Sequence, residues 1–220
     1  MKKNYSKYID HTILRQDARQ QDVIQACEEA IKYDFKAVFV NPCFVRTVAD
    51  WLKNTSILTG VAIGFPLGAT TTATKVFETK EAIQNGAQEI DVVVNISLIK
   101  DGMFSEIEDE LKAVHEAVGN RTFKVIFETV LLTDDEIIKL CEICSNLKVD
   151  YVKTSTGFSR GGATVEAVTL MRKHISTSMQ VKAAGGIKTK SDFINMIDAG
   201  ATRIGTSSGI AILESIDDSF

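Results

Sequence analysis

The stretch TKVFETKEAIQNGAQEIDVVVN (Thr74–Asn95) contains a helix pattern, a helix stop and a strand pattern in direct succession. Thr74–Ile83 has the apolar spacing of an amphipathic helix. Asn85-Gly86-Ala87 is typical of a helix end, because asparagine and glycine readily adopt the left-handed conformation found there. Glu89–Asn95 is largely apolar and β-branched, as expected for a strand covered on both faces. The stretch therefore predicts one helix–strand step of a parallel sheet.

The same step recurs along the chain. Seven further runs have strand character: Tyr8–Thr12, Ala37–Asn41, Thr59–Phe65, Lys124–Thr129, Tyr151–Ser155, Gln180–Ala184 and Arg203–Thr206. Helical patterns such as Asp22–Ile31 lie between them, and Ala199-Gly200-Ala201 is a second helix stop. No low-complexity linker divides residues 1–220, so we expect one domain. Eight such units predict an α/β fold, a compact (β/α)8 TIM barrel, with a doubly wound open sheet as the alternative.

Composition excludes several classes of function. The net charge is -4 and no basic run stands out, which argues against nucleic acid as a partner. No stretch approaches the roughly 18 apolar residues of a membrane helix, and the start lacks the apolar core of a signal peptide. We therefore expect a cytoplasmic protein without a membrane partner. Cys141-Glu-Ile-Cys144 lies in a helical pattern without a second ligand pair, which predicts packing cysteines and no metal.

Two lysines, Lys153 and Lys182, lie inside apolar strand patterns. A buried ammonium loses hydration, and two that face one cavity repel, so that each lowers the pKa of the other. A lysine that is neutral near pH 7 is a nucleophile toward carbonyl groups. The alternative is that each side chain extends to solvent from a strand end. The pair, each member followed by small residues and glycine, favours the chemical interpretation.

Other polar residues fall in or at the ends of predicted strands: Asp10, His11, Asn41, Asp91, Asn95 and Glu128. In a TIM barrel the carboxyl ends of the strands form the active-site face, so these side chains are expected to converge there. Asp91 is the candidate proton donor and acceptor, because a carboxylate beside two lysines can take and return protons. The alternative is that Asp91 only balances a lysine charge.

Glycine-rich turns follow the last two predicted strands, at Gly185–Thr189 and Gly205–Gly209. Backbone N–H groups at such turns bind anions, and this end of a TIM barrel is a frequent phosphate site. Thr154–Phe158 follows Lys153 and can add donors. The chain has neither G-x-G-x-x-G nor a P-loop, so no nucleotide cofactor is expected. The residues together predict Schiff-base chemistry on a small phosphorylated carbonyl compound, with no cofactor.

The runs Val152-Lys153-Thr154-Ser155-Thr156-Gly157-Phe158 and Val181-Lys182-Ala183-Ala184-Gly185-Gly186-Ile187, in this order, resemble the class I deoxyribose-phosphate aldolase family. Tyr8–Thr12 and Gly64–Gly68 extend the likeness along the chain. The resemblance implies a lyase that reversibly cleaves 2-deoxy-D-ribose 5-phosphate to acetaldehyde and D-glyceraldehyde 3-phosphate in deoxyribose phosphate catabolism. It also implies that no metal is needed.

Position by position, the resemblance implies three catalytic residues. Lys153 matches the Schiff-base nucleophile, Lys182 the proton donor and acceptor that perturbs it, and Asp91 the carboxylate that moves protons with a water. The expected phosphate-binding residues are Gly157, Gly185, Gly186, Gly205, Ser207 and Ser208. Alternatives are another Schiff-base sugar-phosphate aldolase or transaldolase-like enzyme, a phosphosugar isomerase, or a non-catalytic sugar-phosphate-binding barrel. A homodimer is the expected assembly.

Some positions depart from the family pattern. Phe39 and Val130 stand where many members carry cysteine, and Arg15-Gln16 stands where Lys-Pro is common. We expect the missing thiol at position 39 to alter tolerance to aldehydes. Phe220 lacks the hydroxyl of the C-terminal tyrosine that enters the active site in some members.

Overall fold

The computed structural model describes residues 4–217, so Phe220 lies outside the described residues. Within them the strands form a closed parallel barrel in chain order, and the last strand pairs with the first. The strands are β1 (Ile9–Ile13), β2 (Ala37–Val40), β3 (Leu58–Ile63), β4 (Glu89–Val93), β5 (Thr122–Ile126), β6 (Tyr151–Lys153), β7 (Gln180–Ala184) and β8 (Ala201–Thr206). The predicted TIM barrel is confirmed. The open doubly wound sheet is wrong, because the sheet has closed on itself.

Helices follow the strands and cover the outside of the barrel. They are α1 (Gln20–Tyr33), α2 (Val45–Leu52), α3 (Thr72–Gln84), α4 (Ile96–Lys100), α5 (Phe104–Val118), α6 (Asp134–Asn146), α7 (Val165–His174), α8 (Lys190–Asp198) and α9 (Gly209–Asp217). Short 3-10 turns occupy Tyr5–Tyr8, Pro42–Phe44 and Thr129–Leu131. The helix stops at Gly86 and Gly200 lie where predicted, with φ of 106° and 112°.

Several predicted strands extend too far at their carboxyl ends. The run Glu89–Asn95 exceeds β4 because Asn95 turns out of the sheet and accepts the N–H groups that begin α4. The run Lys124–Thr129 exceeds β5 because Glu128 adopts a left-handed conformation with φ of 58°. Polar and strained residues therefore occupy the barrel mouth.

Strand residues alternate between two environments. Val38 and Val40 join the apolar outer layer, which we define as the space between the strands and the helices. The intervening Phe39 is also buried but contacts lysines of the lumen, the space enclosed by β1–β8. TIM barrels usually fill this space with branched apolar side chains. Here the lumen holds buried charged residues: Asp10, Glu89, Asp91, Lys124, Lys153, Lys182 and Arg203.

Candidate active site

The two predicted lysines and the predicted carboxylate lie in mutual contact. Lys153 on β6 and Lys182 on β7 are register partners on neighbouring strands. The Nζ atoms donate to the same oxygen, Oδ2 of Asp91 on β4, at 3.0 Å from Lys153 and 2.7 Å from Lys182. Lys153 is 3% exposed, and the other two side chains are fully buried. The closed barrel thus joins residues that are far apart in sequence.

Asp10 provides the second carboxylate of Lys182, with Oδ2 2.6 Å from the Nζ atom. The other oxygen of Asp10 accepts from Arg203, whose Nε lies 2.8 Å from Oδ1. Arg203 also donates to Glu89, at 2.7 Å from Nη2 to Oε2 and 3.2 Å from Nη1 to Oε1. These contacts hold Lys182 in one place at the end of a continuous ionic network.

Lys124 completes the network on the opposite side of Asp91. Its Nζ lies 3.0 Å from Oδ1 of Asp91 and 2.6 Å from Oε2 of Glu89. Four basic side chains thus face three carboxylates in the lumen: Lys124, Lys153, Lys182 and Arg203 against Asp10, Glu89 and Asp91. With every group ionised, the lumen would carry one uncompensated positive charge.

The network shifts the pKa values of its members in opposite directions. Burial disfavours the Asp91 carboxylate, but the ammonium groups of Lys124, Lys182 and Lys153 outweigh it and hold its pKa well below the usual range. Burial lowers the pKa of Lys182 to about 8; the Asp10 and Asp91 carboxylates oppose this shift, and repulsion from Lys153 and Lys124 adds to it. Lys182 is therefore suited to hold and release a proton close to neutral pH.

Lys124 behaves differently from Lys182. Burial lowers the pKa of Lys124, but Asp91 and Glu89 outweigh it, and the net direction is upward. Burial likewise opposes the ionisation of Glu89, and Lys124 and Arg203 overcome it, so that the pKa of Glu89 falls to about 2. These residues remain ionised and form the fixed part of the network.

A cavity of about 500 Å³ opens at the barrel mouth and has Lys153 in its wall. Five of the six residues predicted to bind phosphate also line it: Gly157, Gly185, Gly186, Gly205 and Ser207. Ser208 begins the turn into α9, and its N–H donates to Oγ1 of Thr206 at 2.9 Å. The cavity thus places the Lys153 amine and the glycine loops around one space.

Close backbone contact joins the loops that follow β6 and β7. A Cβ on Gly162 would lie 2.2 Å from the carbonyl oxygen of Gly185, so no larger residue fits without a shift. Gly185 itself has φ of 89°, a conformation that favours glycine. These two glycines therefore fix the relative position of the loops after the two lysines.

The other predicted polar residues serve the loops and the helix layer. Nε2 of His11 lies 2.8 Å from Oε2 of Glu29 on α1, and burial lowers the pKa of His11. Asn41 donates to the carbonyl of Leu14 at 3.1 Å. Asn95 caps α4. These side chains shape the mouth of the barrel around the lysine pair.

Glu128 lies at the mouth beside the turn that follows Lys153. Its Oε2 accepts from the hydroxyl of Thr156, and from the Thr156 N–H at 3.3 Å. Thr156 Oγ1 in turn accepts from the N–H of Phe158 at 3.1 Å. Glu128 therefore fixes the turn on the carboxyl side of the lysine.

The residues predicted from the sequence to form the site did not include three charged residues of the lumen: Glu89, Lys124 and Arg203. Each is a charged residue within or beside an apolar strand run, which is the feature that identified Lys153 and Lys182. Their burial in the lumen is the physical consequence, since a charge in such a strand requires partners across the barrel.

The two cysteines of the C-x-x-C sequence, Cys141 and Cys144, are free and lie away from this site. Cys141 and Cys144 are buried on α6 in the outer layer, and burial raises the pKa of the Cys141 thiol to about 12. Among residues 4–217 no group of three or more His, Cys, Asp or Glu side chains has metal-binding geometry. The same residues include no helix with the length and apolar character needed to cross a membrane.

Comparison with known proteins assigns the chain to a family. The DeoC/LacD family aldolase profile matches residues 5–216. The chain belongs to this family. A curated relative named deoxyribose-phosphate aldolase, from Streptococcus equi subsp. zooepidemicus, is 54% identical over 211 residues, which cover 96% of each chain.

Solved structures support the DeoC/LacD assignment. The aldolase QR15 superposes with a TM-score of 0.93 at 37% identity, covering 99% of this chain and 97% of the other. The deoxyribose phosphate aldolase from Aeropyrum pernix, described as tetrameric, gives a TM-score of 0.88 at 30% identity, covering 98% and 92%. The family likeness thus extends over the whole barrel.

Proposed function

We propose that this chain is a class I aldolase that reversibly cleaves 2-deoxy-D-ribose 5-phosphate to acetaldehyde and D-glyceraldehyde 3-phosphate. The observation that carries the proposal is the contact of two lysine amines with one oxygen of Asp91, where Lys153 lines the cavity. The Streptococcus relative named for this activity covers the chain almost completely, which supports this substrate over other phosphorylated aldehydes.

The reaction begins at Lys153. Its neutral amine donates an electron pair to the C1 aldehyde of the open-chain sugar and forms a carbinolamine, which loses water to give an iminium ion. Lys182 assists by carrying the positive charge beside Lys153, because a neighbouring ammonium disfavours a second one. The carbinolamine oxygen takes one proton from the attacking amine and a second from the Lys182 ammonium beside Asp91, and it leaves as water.

The C2–C3 bond then breaks. Its electrons move into the iminium and form an enamine, while the C3 hydroxyl loses its proton and becomes the aldehyde of glyceraldehyde 3-phosphate. Asp91, acting through a water, accepts that proton, and it becomes more basic as the positive charge of the iminium on Lys153 is neutralised in the enamine. Protonation at C2 and hydrolysis of the imine release acetaldehyde and return the amine.

The phosphate group binds at the glycine loops in this proposal. Gly157, Gly185, Gly186, Gly205 and Ser207 support it because they line the same cavity as Lys153. Ser208 follows in the turn into α9 and is assigned the same role. Backbone N–H groups at such turns favour an anion.

The decisive experiment is reductive trapping with acetaldehyde and borohydride, followed by mass spectrometry of the modified peptide. We expect an ethyl adduct on Lys153, loss of the adduct in Lys153→Ala, and an unchanged adduct in Lys112→Ala, which alters an exposed lysine on α5. An adduct that persists in Lys153→Ala would overturn the assignment of the nucleophile.

A substrate panel separates the proposed activity from its rivals. Cleavage of deoxyribose 5-phosphate with release of acetaldehyde supports it. Turnover of a different sugar phosphate with a trapped Lys153 would favour another Schiff-base aldolase or a transaldolase-like enzyme. Turnover without trapping would favour an isomerase, and binding of deoxyribose 5-phosphate without turnover would favour a sugar-phosphate-binding barrel.

We propose further that the chain forms a homodimer in the cytoplasm. Large exposed apolar side chains support self-association: Leu67 is 73% exposed and Phe77 is 68% exposed. The four free cysteines support a reducing compartment. Light scattering during size-exclusion chromatography tests the assembly, and a monomer mass at micromolar concentration would contradict it.

A further inference from the structure

Phe39 places an aromatic ring among the charged side chains of the lumen. The Nζ atom of Lys182 lies 3.5 Å from the centroid of the ring, that of Lys124 lies at 4.6 Å and that of Lys153 at 6.0 Å. Phe39 is fully buried. The lysine ammonium groups therefore face a ring from which solvent is excluded, and Lys182 is the nearest of the three.

Gly60 makes room for this ring. It is the register partner of Phe39 on the neighbouring strand β3. A Cβ at Gly60 would lie 2.4 Å from Cζ of Phe39, closer than such atoms approach each other. The pair of a large aromatic residue and a glycine thus fixes the ring under the lysines.

The electrostatics of the lumen give the ring a role. Four basic groups share three carboxylates, so the cluster carries one net positive charge when every group is ionised. The face of an aromatic ring carries partial negative charge and attracts a cation within about 6 Å of its centroid. Because this attraction weakens with distance, an ammonium at 3.5 Å gains more than one at 6.0 Å.

We infer that Phe39 is a positioning residue. When only one of Lys153 and Lys182 is protonated, its ring favours the ammonium form of Lys182, and Lys153 is then the neutral amine. The inference rests on the proposed function, since only a Schiff-base mechanism requires that division of charge. Removal of the ring should favour the neutral form of Lys182 by about 2- to 30-fold, the range of cation–π contacts from exposed to desolvated.

The other charged groups around Lys182 belong to other residues, so a substitution at Phe39 leaves their number and type unchanged. They come from five strands: Asp10 on β1, Asp91 on β4, Lys124 on β5, Lys153 on β6 and Arg203 on β8. Glu89 reaches the group through Lys124 and Arg203. A substitution at Phe39 therefore isolates the contribution of the ring from that of the ionic partners.

The direct test is an NMR titration of the protein with ¹³Cε-labelled lysine, in which the Lys182 signal is assigned by its loss in Lys182→Arg. We expect Phe39→Leu to raise the acid dissociation constant of Lys182 by about 2- to 30-fold. The matched control is Phe123→Leu, because Phe123 is equally buried but packs in the outer layer against His115. No change in Phe39→Leu, or an equal change in both variants, overturns the inference.

A second replacement separates the electrostatic effect of the ring from any loss of folding in Phe39→Leu. Phenylalanine with fluorine on the two meta carbons, placed at position 39, keeps the shape of the ring and weakens its negative face. A change in the Lys182 titration in the same direction as in Phe39→Leu, but smaller, supports the inference. An unchanged titration with the fluorinated ring contradicts it.

Kinetics separate this inference from the proposed function. The active form needs a charged Lys182, so Phe39→Leu should move the alkaline limb of the kcat/KM profile to lower pH. A variant that lowers the whole profile without moving that limb has only a packing defect, which would overturn the inference. If the parent protein cleaves no deoxyribose 5-phosphate although its Lys182 titration responds to Phe39, the proposed function fails and the role of the ring stands.

Discussion

The lumen and the outer layer of this barrel are built from the same strands but follow different rules. In β4, Ile90 packs among apolar side chains, whereas the adjacent Asp91 contacts three lysines on the other face. Outer-layer contacts are non-directional, so residues of similar volume can replace one another there. Lumen contacts are paired charges, and removal of one partner leaves another charge buried without compensation. The comparison teaches that the lumen side of a strand tolerates change less well than its outer side.

The largest effect is expected for Asp91→Asn. The amide keeps the shape but removes the charge shared by Lys124, Lys153 and Lys182. We expect the free energy of unfolding to fall by about 3–5 kcal/mol. The aldolase rate should fall by at least about 100-fold. Urea denaturation and the retro-aldol assay measure both.

The matched control is Ile90→Val, one position away on the opposite face of β4. Loss of one methylene from the outer layer should cost about 1 kcal/mol and leave the rate within about twofold. If Asp91→Asn cost no more stability than Ile90→Val, the proposed difference between the two environments would be wrong.

The second largest effect is expected on the free energy of unfolding at acid pH. Folding lowers the pKa of Glu89 from 4.5 to about 2, so the unfolded chain binds more protons in this range. The lowered pKa of Glu89 contributes about 3 kcal/mol to the free energy of unfolding. This contribution is fully present above pH 4.5 and is lost as the pH falls through about 2. We expect Glu89→Gln to flatten the dependence of the unfolding free energy on pH in this window.

Glu136→Gln provides the control for the acid effect. Glu136 binds Lys100 at 2.6 Å, but on the surface, where solvent screens the pair. Urea titrations at a series of pH values give the slope of the unfolding free energy against pH. Glu136→Gln should change this slope less than Glu89→Gln does. Equal slopes in the two variants would contradict a special role for lumen charges.

The smallest effect is expected where a charge pair lies in the outer layer. Lys75 on α3 is fully buried and contacts Oε1 of Glu110 on α5 at 2.7 Å. The double change Lys75→Met with Glu110→Leu replaces the pair by apolar groups. It also removes the hydrogen bonds to the Val93 carbonyl and from the Asn95 N–H, so stability should fall by about 1–2 kcal/mol. The aldolase rate should be unchanged.

The single variant Lys75→Met sharpens that test. It leaves Glu110 buried without its cation and should cost about 3 kcal/mol or more in unfolding free energy. A double variant as unstable as this single one would show that the pair, unlike most buried pairs, stabilises the fold beyond an apolar replacement.

Sequence patterns predicted the barrel because its periodicity is local. Each helix stop and apolar run, as at Gly86 and Glu89–Val93, reports the backbone of its own segment. The ends of the strands were less predictable. Glu128 and Asn95 continue the pattern of their strands but leave the sheet, Glu128 beside the loop that holds Thr156 and Asn95 as the cap of the following helix.

The site was predictable in part for the same reason. Lys153, Lys182 and Asp91 are conspicuous as charges in apolar runs, and their type suggests their chemistry. The sequence does not reveal that two amines share one oxygen or that Phe39 lies beneath them, because these facts depend on barrel closure and register. Non-local geometry is the part that local patterns omit.

The backbone contact between Gly162 and Gly185 has a consequence for how such an enzyme can diverge. Because a side chain on Gly162 would collide with the neighbouring loop, the two loops form one block. A graft that exchanges only one of them for a longer or bulkier sequence should disturb the other. New substrate ranges are therefore more accessible to exchanges that transfer both loops together, so that the pair behaves as a single heritable module.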